Sequence, residues 1–523
     1  MSDGATGRRL LRDPFLYGAA AFALVVCGPL YRYLGSLGDE GILLHGAIRL
    51  LHGEMAHRDF FEIIPPGGFL IVAGWMKLFG ADFGSVRILA VSLIALIAAL
   101  SYAAAALASG HRILPILLAT TWAVRAPFEN NHHWLTTAAS MAAAVGVFLA
   151  IEESPPRRGA VLLSGLFAGA AVTVTQTRGI FLCVAILGVF ATLPWARTRL
   201  PTVMAGMIVC PTATIAYVAL TGALAPAAQD LIWFTSHRYA AIQALPFGSF
   251  ATRTDAVTIA LFPVALLLTG VALALRPHGA IWRDPRGRTA LALATAGLLG
   301  GFPRPDIGHL NFIVPLACPL VAFLVTYLAA RLDRPAHVTV SVLAIGLCLV
   351  ALTYATKRRM DVMTEPLDAI WTPRGVVVRR ATPSNADLAL LIEQIDRTPP
   401  GDPFFFYAYL PMLPYLTGRH HVAAVDVMVP GYTTPEQFRD TCARVVREAR
   451  WLVVDRTWSD PSKLGYFFPA MVDQNPPEKR AFEDALARAF DDLVLRSPTF
   501  EVRRRGAAVA DTLCPQPAAS PGR

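Results

Sequence analysis

Two adjacent carboxylic acids, Asp39 and Glu40, directly follow the first hydrophobic segment of this 523-residue chain. At that place the pair should lie where the membrane meets water, although acids in a loop can also do no more than solvate it. A carboxylate that is partly removed from water is a stronger base and can take a proton from a hydroxyl group. We therefore predict that these two acids are catalytic.

Four arginines are predicted to lie on the same side of the membrane as the acids and could bind a phosphate. A polyprenyl-phosphate lipid presents its phosphate at the headgroup plane, where cations must hold it and stabilise its charge. Each arginine could instead be an interfacial side chain that only extends toward water. Arg178 is the strongest candidate, because it lies with Gln176 between two apolar runs. The candidate ligands for such a lipid phosphate are Arg178, Arg304, Arg58 and Arg238.

Glu62 and three histidines, His132, His133 and His309, are predicted substrate contacts. The adjacent histidines could bind a metal, but neighbouring side chains on a helix point in different directions, which favours contact with a sugar or phosphate. Asp306, near His309, could instead cap a helix. No metal ligand set and no cofactor is predicted, although paired acids could hold a divalent cation.

A short amphipathic helix between Gly41 and Gly53 should position the acids, since His45, Arg49 and His52 recur in it at helical spacing. A charged turn and a Pro-Pro-Gly-Gly corner follow, and such a corner fixes the direction of the backbone. The next apolar run, which ends at residue 79, is too short for an ordinary membrane span. We interpret residues 35–85 as an active-site loop that lies on the membrane surface.

The composition is typical of a polytopic membrane protein: 54% of the residues are hydrophobic and only 16% are charged. The net charge of +9 comes mostly from arginines in short loops between apolar segments, so it indicates topology and not nucleic-acid binding. Spans need about 20 apolar residues. The predicted spans are 15–34, 86–108, 113–125, 133–151, 160–177, 179–195, 200–221, 255–275, 289–302, 308–330 and 335–356.

The positions of the loop arginines predict the orientation. If the run before residue 79 does not cross, the loop arginines all fall on one side, which the positive-inside rule assigns to the cytoplasm. The N-terminus would then be cytoplasmic in a bacterial inner membrane, and Asp39 would face outward. The arginines are Arg8, Arg9, Arg12, Arg112, Arg157, Arg158, Arg197, Arg199, Arg276, Arg283, Arg286, Arg288, Arg331 and Arg334.

The composition changes after residue 357, which predicts a membrane domain over 1–357 and a soluble extracytoplasmic α/β domain over 358–523. Helices are expected at 384–397, 434–449 and 477–493, and strands of a mainly parallel sheet at 403–409 and 451–455. Cys442 and Cys514 could form a disulfide or remain free, and residues 515–523 should be disordered. Several polar side chains could contact an acceptor or, as we favour, belong to the sheet core and a solvated loop: Tyr407, Tyr409, Tyr415, Arg419, His420 and His421.

The Asp-Glu pair, the segments RDFFEIIPPGGF and LFGADFGSVR, and the soluble tail together resemble the GT-C integral-membrane glycosyltransferases, near the branch of protein O-mannosyltransferases and aminoarabinose transferases. The resemblance implies inverting transfer of a sugar from a polyprenyl-phosphate donor, with Asp39 matching the catalytic acid and Glu40 its neighbour. One departure is Ile64, which stands where some relatives carry a lysine before the two prolines. The donor phosphate must then be bound by another cation, or the donor differs.

The predicted protein is thus an α-helical polytopic membrane protein of about eleven spans with a small C-terminal α/β domain. It should transfer a hexosyl or pentosyl group from a polyprenyl-phosphate donor to a hydroxyl of a glycan, lipid or protein, with Asp39 as general base, and should have no nucleic-acid partner. A lipid or polysaccharide transporter is the alternative, but the strong charges crowd one face and no internal repeat is visible. A non-catalytic membrane scaffold is the third hypothesis.

Overall fold

The computed structural model describes residues 5–127, 129–152, 156–275, 283–506 and 514. Within them a helix lies at each of the eleven predicted spans. Arg276 and the predicted disordered tail at 515–523 lie outside the described residues. The described α-helices up to residue 364 are α1 (Ala5–Leu11), α2 (Pro14–Cys27), α3 (Asp39–Leu51), α4 (Gly67–Phe79), α5 (Phe83–Ser109), α6 (Ile113–Arg125), α7 (His132–Ile151), α8 (Arg158–Val174), α9 (Gln176–Thr192), α10 (Leu200–Leu220), α11 (Leu224–Ala228), α12 (Ala240–Gln243), α13 (Ala256–Leu275), α14 (Pro285–Gly300), α15 (Ile307–Ala329) and α16 (Arg334–Thr364). A π-helix, Gln229–Tyr239, lies between α11 and α12.

Six helical segments in the described part are long and apolar enough to cross a membrane. Shorter apolar helices include α4, whose 13 residues span about 20 Å, against a hydrocarbon core of roughly 30 Å. The predicted span α6 also has 13 residues, so length does not distinguish α4 from the shorter predicted spans, and the prediction that α4 does not cross stays a prediction. The six segments are Phe83–Ser109, His132–Ile151, Arg197–Leu220, Ala256–Ala274, Ile307–Ala329 and Arg334–Thr364.

Small residues allow close packing of the membrane helices. Gly165 on α8 faces α10 so closely that a Cβ there would lie 2.2 Å from the carbonyl oxygen of Val203. Gly206 on α10 returns the contact, since a Cβ there would lie 2.4 Å from the carbonyl oxygen of Leu162. In lipid, where apolar burial does not drive association, such backbone approach provides the van der Waals contact that holds helices together.

The C-terminal part contains two sheets. β1 (Leu367–Thr372) and β2 (Gly375–Arg380) form a hairpin, and a four-stranded sheet has the order β3-β4-β6-β5. β3 and β4 are parallel, whereas β6 is antiparallel to both β4 and β5. The remaining elements are β3 (Phe404–Tyr407), β4 (Trp451–Asp455), β5 (Asp492–Arg496), β6 (Phe500–Arg504), α17 (Pro383–Asp396), α18 (Met412–Thr417), α19 (Pro435–Glu448), α20 (Pro461–Phe467) and α21 (Pro477–Ala489).

The prediction of a mainly parallel sheet was wrong. Only three residues, 497–499, separate β5 from β6, and parallel neighbours need a crossover of a dozen residues or more. The two strands therefore form a hairpin. The two strands and three helices predicted for this part are all present, and the predicted helix at 477–493 ends earlier because β5 begins at Asp492.

The C-terminal part packs directly on the loop at 35–85. Helix α16 continues past the predicted boundary at 357 to Thr364, and the backbone of Val378 exchanges hydrogen bonds with Arg32 and Leu34. One apolar cluster contains Leu44, Phe69 and Val86 from the membrane part together with Phe404 and Leu413. Cys442 and Cys514 form a disulfide, which was one of the two predicted outcomes.

Candidate active site

Asp39 and Glu40 form the first turn of α3, where the helix dipole favours negative charge. The two adjacent side chains have opposite environments. Glu40 is 1% exposed, whereas Asp39 is exposed. The predicted pair therefore separates into one acid that substrates can reach and one that is buried.

Glu40 is held by a buried ion pair. Its Oε2 lies 2.8 Å from Nη2 of Arg87, whose side chain is also 1% exposed, and its Oε1 accepts from the backbone N–H of Asn130 at 2.8 Å. Burial raises the pKa of Glu40, and the Arg87 charge and the Asn130 bonds oppose that rise. Since both carboxylate oxygens are occupied, Glu40 joins α3 to α5 and to the loop before α7.

Asp39 accepts a hydrogen bond from the hydroxyl of Tyr409, which follows β3 in the C-terminal part. Three further polar side chains surround it. Burial raises the pKa of Glu129 to about 7, with the charges of Glu40 and Asp39 contributing. Burial also raises the pKa of Tyr239 and of Tyr432, and Asp39 adds to both shifts. Asp39 is thus an accessible carboxylate that bonds the Tyr409 hydroxyl and interacts electrostatically with Glu129 and two further tyrosines.

A second cluster is centred on Arg178, which is 6% exposed. Its Nη2 donates to Oγ1 of Thr137 and to the carbonyl oxygen of Phe312, each at 3.0 Å, and its Nη1 lies 3.3 Å from Nδ1 of His133. In the part of the chain that the structure describes, no acidic side chain forms an ion pair with Arg178. A buried cation bonded only to neutral groups is suited to bind an anion.

The three predicted histidines are brought together beside Arg178. The ring centroids of His132 and His133 lie 4.0 Å apart, and those of His133 and His309 lie 5.1 Å apart. Asp306 accepts from Nδ1 of His309 at 2.8 Å and from Nε of Arg304 at 2.8 Å. Asp306 also caps α15 by accepting from the backbone N–H of His309. The same carboxylate therefore caps the helix and bonds the side chains of His309 and Arg304.

Segment 129–133 connects the two clusters. Glu129 at one end interacts electrostatically with Asp39, and His133 at the other end contacts Arg178. Asn131 between them caps α7 by accepting from the backbone N–H of His133. The segment thereby links an exposed carboxylate to a buried cation, the two kinds of group that can activate a nucleophile and stabilise a leaving anion.

Comparison with known proteins bears on the fold. Neither a family model nor a curated protein matches this sequence. ArnT from Cupriavidus metallidurans, bound to undecaprenyl phosphate, superposes with a TM-score of 0.57 at 14% identity, over 98% of this chain and 100% of ArnT. The chain has the GT-C fold. The archaeal oligosaccharyltransferase AglB from Archaeoglobus fulgidus gives 0.54 at 10% identity, over 94% of this chain and 74% of AglB, and the mycobacterial arabinofuranosyltransferase AftD gives 0.50 at 16%, over 95% and 40%.

The predicted fold class, a helical GT-C-like membrane protein with a small C-terminal sheet domain, is confirmed. Two predicted phosphate ligands, Arg58 and Arg238, have other contacts in the structure. Arg58 is exposed and pairs with Asp59 at 2.7 Å, and Arg238 lies over the ring of Trp233 at 5.9 Å. Their role toward the donor stays a prediction.

The predicted substrate contact Glu62 lies 7% exposed in the loop between α3 and α4. Burial raises its pKa well above the usual range, and Asp426 adds to the shift, while Arg49 opposes it.

Among the described residues, no group of three or more His, Cys, Asp or Glu side chains could hold a metal ion. The divalent cation considered for the paired acids stays a prediction.

Sequence reasoning missed the residues that organise the acids. Arg87 and Asn130 were not singled out, and Tyr409 was assigned to the sheet core. An arginine in the long apolar segment of α5 was the available indication, since a charge there needs a partner. The other tyrosines considered with Tyr409 have structural contacts: Tyr407 donates to Glu483 at 2.7 Å, and Tyr415 donates to the carbonyl oxygen of Ala81 at 3.0 Å.

Proposed function

We propose that this protein is a membrane glycosyltransferase that moves a sugar from a polyprenyl-phosphate donor to a hydroxyl of a glycan, lipid or protein. The observation that carries the proposal is the division of the acid pair: Glu40 is locked by Arg87, whereas Asp39 is exposed. Segment 129–133 links Asp39, through Glu129, to the buried Arg178, through His133. An accessible base and an unneutralised cation serve opposite ends of the same displacement.

In the proposed reaction Asp39 takes the proton of the acceptor hydroxyl while its oxygen attacks the anomeric carbon of the donor. The bond between that carbon and the phosphate oxygen breaks in the same displacement, so the configuration inverts. The electron pair leaves with the polyprenyl phosphate, whose added charge Arg178 and Arg304 stabilise. Phosphate is a good leaving group, so no strong general acid is needed.

The solved structures with the same fold support this donor class. ArnT binds undecaprenyl phosphate, and AglB is in complex with a dolichol-phosphate. At 10 to 14% identity the likeness extends to the fold alone, so the choice of sugar and acceptor must come from this chain's own residues. A hexosyl or a pentosyl donor fits the proposal equally.

An apolar cavity of about 840 Å³ offers a place for the donor's hydrocarbon chain. It lies against α7 between Leu135, one turn from His132, and Leu149, a length of about 21 Å along the helix. Ile71, Leu96 and Phe167 from neighbouring helices contribute to its apolar lining. A chain whose phosphate reaches Arg178 could therefore continue into this cavity.

Replacing Ala142, which lines the cavity, by tryptophan should weaken binding of undecaprenyl phosphate about tenfold, because the indole displaces roughly 55 Å² of buried chain. Binding of dimethylallyl phosphate, whose single isoprene unit is too short to reach residue 142, should be unchanged. Isothermal titration with the full-length protein measures both.

The matched control for this substitution is Val184→Trp on α9, where the side chain is 61% exposed and does not line the cavity. We expect it to leave the affinity for undecaprenyl phosphate unchanged. Equal weakening of the long and the short phosphate by Ala142→Trp would show that the chain lies elsewhere.

We further propose that Asp39 and the C-terminal domain face the outside of a bacterial inner membrane, with the N-terminus in the cytoplasm. The disulfide Cys442–Cys514 supports this orientation, because such bonds persist in oxidising compartments. The predicted cytoplasmic arginine loops agree with it. Membrane-impermeant reagents should then label residue 39 in intact cells, and labelling only after lysis would contradict the orientation.

Mass spectrometry of polyprenyl lipids and envelope glycans, with and without the gene, tests the function. We expect a polyprenyl-phosphate sugar to accumulate in the deletion strain and one sugar to disappear from a glycan, lipid or protein. Restoring the gene should reverse both changes. If a lipid or polysaccharide instead accumulates on the cytoplasmic side while every glycosidic bond is retained, the protein is a transporter.

A further inference from the structure

The C-terminal domain contacts the first turn of α3, which carries Asp39. The hydroxyl of Tyr409 donates to the Asp39 carboxylate. Three residues later, the backbone N–H of Met412 donates to the carbonyl oxygen of Leu37 at 3.1 Å. Gly41 permits this approach, because a Cβ there would lie 2.1 Å from the backbone nitrogen of Met412. The domain is therefore docked by backbone contact within one turn of the candidate base.

A buried charge cluster joins the same two parts further along α3. Asp426 lies 2.8 Å from Nδ1 of His45 and 3.7 Å from Nη1 of Arg49, and His421 approaches it at 3.6 Å. Burial would raise the pKa of Asp426, but these basic neighbours outweigh it and hold the pKa below its usual range. Two residues of the predicted basic stripe, His45 and Arg49, thus contact the C-terminal domain, whereas His52 is exposed. Helix α3 is therefore held by this domain both at its first turn and further along its length.

Tyr409 is itself held in place. Its ring meets that of Trp458 edge to face at 5.2 Å between centroids. Burial raises its pKa well above the usual range, with Asp39 adding to the shift, so the hydroxyl stays protonated and can only donate to the carboxylate. The charge of Tyr432 also adds to this shift, and the ring of Tyr432 meets that of Tyr239 edge to face at 5.8 Å between centroids.

We propose that Tyr409 is a positioning residue for sugar transfer: its hydroxyl fixes one oxygen of Asp39 so that the other faces the acceptor, which makes the C-terminal domain part of the active site. This proposal rests on the proposed function. A carboxylate on an exposed first turn can rotate about its side-chain bonds, and a fixed donor removes that freedom. Misplacement of a catalytic group by about 1 Å can cost 10²-fold in rate.

The test measures single-turnover rates of the full-length protein with the sugar lipid extracted from cells that lack the gene. Tyr409→Phe should lower the rate constant about 10- to 100-fold and leave the KM for the donor unchanged. In the Asp39→Asn background the same substitution should change the residual rate by no more than about twofold, because the residue it positions has already lost its function.

Tyr407→Phe is the matched control, because Tyr407 makes the same kind of hydrogen bond, to Glu483, in the same domain. We expect it to affect thermal stability but not the rate constant. Gly38→Ala is a second route to the same effect, since a Cβ at Gly38 would lie 2.8 Å from the ring of Tyr409 and must displace it. It should reproduce the loss of rate, again only when Asp39 is present.

Two results would overturn the positioning role. One is a Tyr409→Phe protein as fast as the wild type, and the other is an equal fractional loss in the wild-type and Asp39→Asn backgrounds, which indicates a general structural effect. Failure of the proposed function would look different, since the wild-type protein itself would then transfer no sugar from the extracted lipid.

Discussion

Asp39→Asn should lower the rate constant for sugar transfer by about 10²- to 10⁴-fold, the usual contribution of a general base. The amide has nearly the same shape and its oxygen can still accept from Tyr409, but it cannot take the proton of the acceptor. Donor affinity should be unchanged, because in the proposed reaction the cations, and not Asp39, bind the phosphate. Single-turnover assays with the extracted sugar lipid measure the rate and the donor KM together.

The neighbouring acid supplies the control. Glu40→Gln removes the charge that pairs with the buried Arg87, and an uncompensated buried charge costs about 3–5 kcal/mol. We therefore expect a large fall in Tm for Glu40→Gln and almost none for Asp39→Asn, whose side chain is exposed. Undiminished transfer by Asp39→Asn would remove Asp39 from the mechanism. Equal falls in Tm would mean that the two acids act as one structural unit.

The helices could be predicted because their evidence is local. Apolar runs in the membrane part and periodic patterns in the tail placed a helix at each expected position, including α3 between its two glycines. The failure in the sheet was also local: residues 492–504 were not recognised as two strands joined by a tight turn, and the chain order of the other strands suggested parallel pairing.

The partners of the site residues could not be predicted, because their contacts are distant in sequence. Glu40 pairs with Arg87 across 47 positions, and His45 meets Asp426 across 381. Both contacts depend on how α5 and the C-terminal domain dock on α3. Residue types at helical spacing indicated that one face of α3 is basic. They could not indicate whether that face contacts a lipid, a phosphate or an acidic side chain, and the tertiary structure shows that it contacts Asp426.

The same limit applies to the arginines, and it makes Arg178→Gln the second decisive experiment. The four arginines share residue type and predicted side, and the sequence favoured Arg178 only because it lies between two apolar runs. Arg178 is the buried one of the four, and its bonds go to Thr137, His133 and a carbonyl oxygen. Removing it should lower kcat/KM for the donor by about 10²- to 10³-fold, the effect of losing one preorganised donor to a developing anion.

Arg178→Lys separates charge from geometry. Lysine keeps the positive charge, but its single ammonium cannot reproduce the planar fork whose Nη2 bonds Thr137 and Phe312 while its Nη1 contacts His133. We expect the kcat/KM of Arg178→Lys for the donor to lie between that of the wild type and that of Arg178→Gln. Isothermal titration with undecaprenyl phosphate should show the same order of affinities.

The control for Arg178 is Arg419→Gln. Arg419 is similarly buried, at 8% exposure, and donates to three backbone carbonyl groups in the C-terminal domain. Its loss should lower Tm without changing the affinity for undecaprenyl phosphate. If Arg178→Gln behaves in the same way, its guanidinium only satisfies carbonyl groups between α7, α9 and α15, and the leaving phosphate must be held by Arg304, which already shares its charge with Asp306.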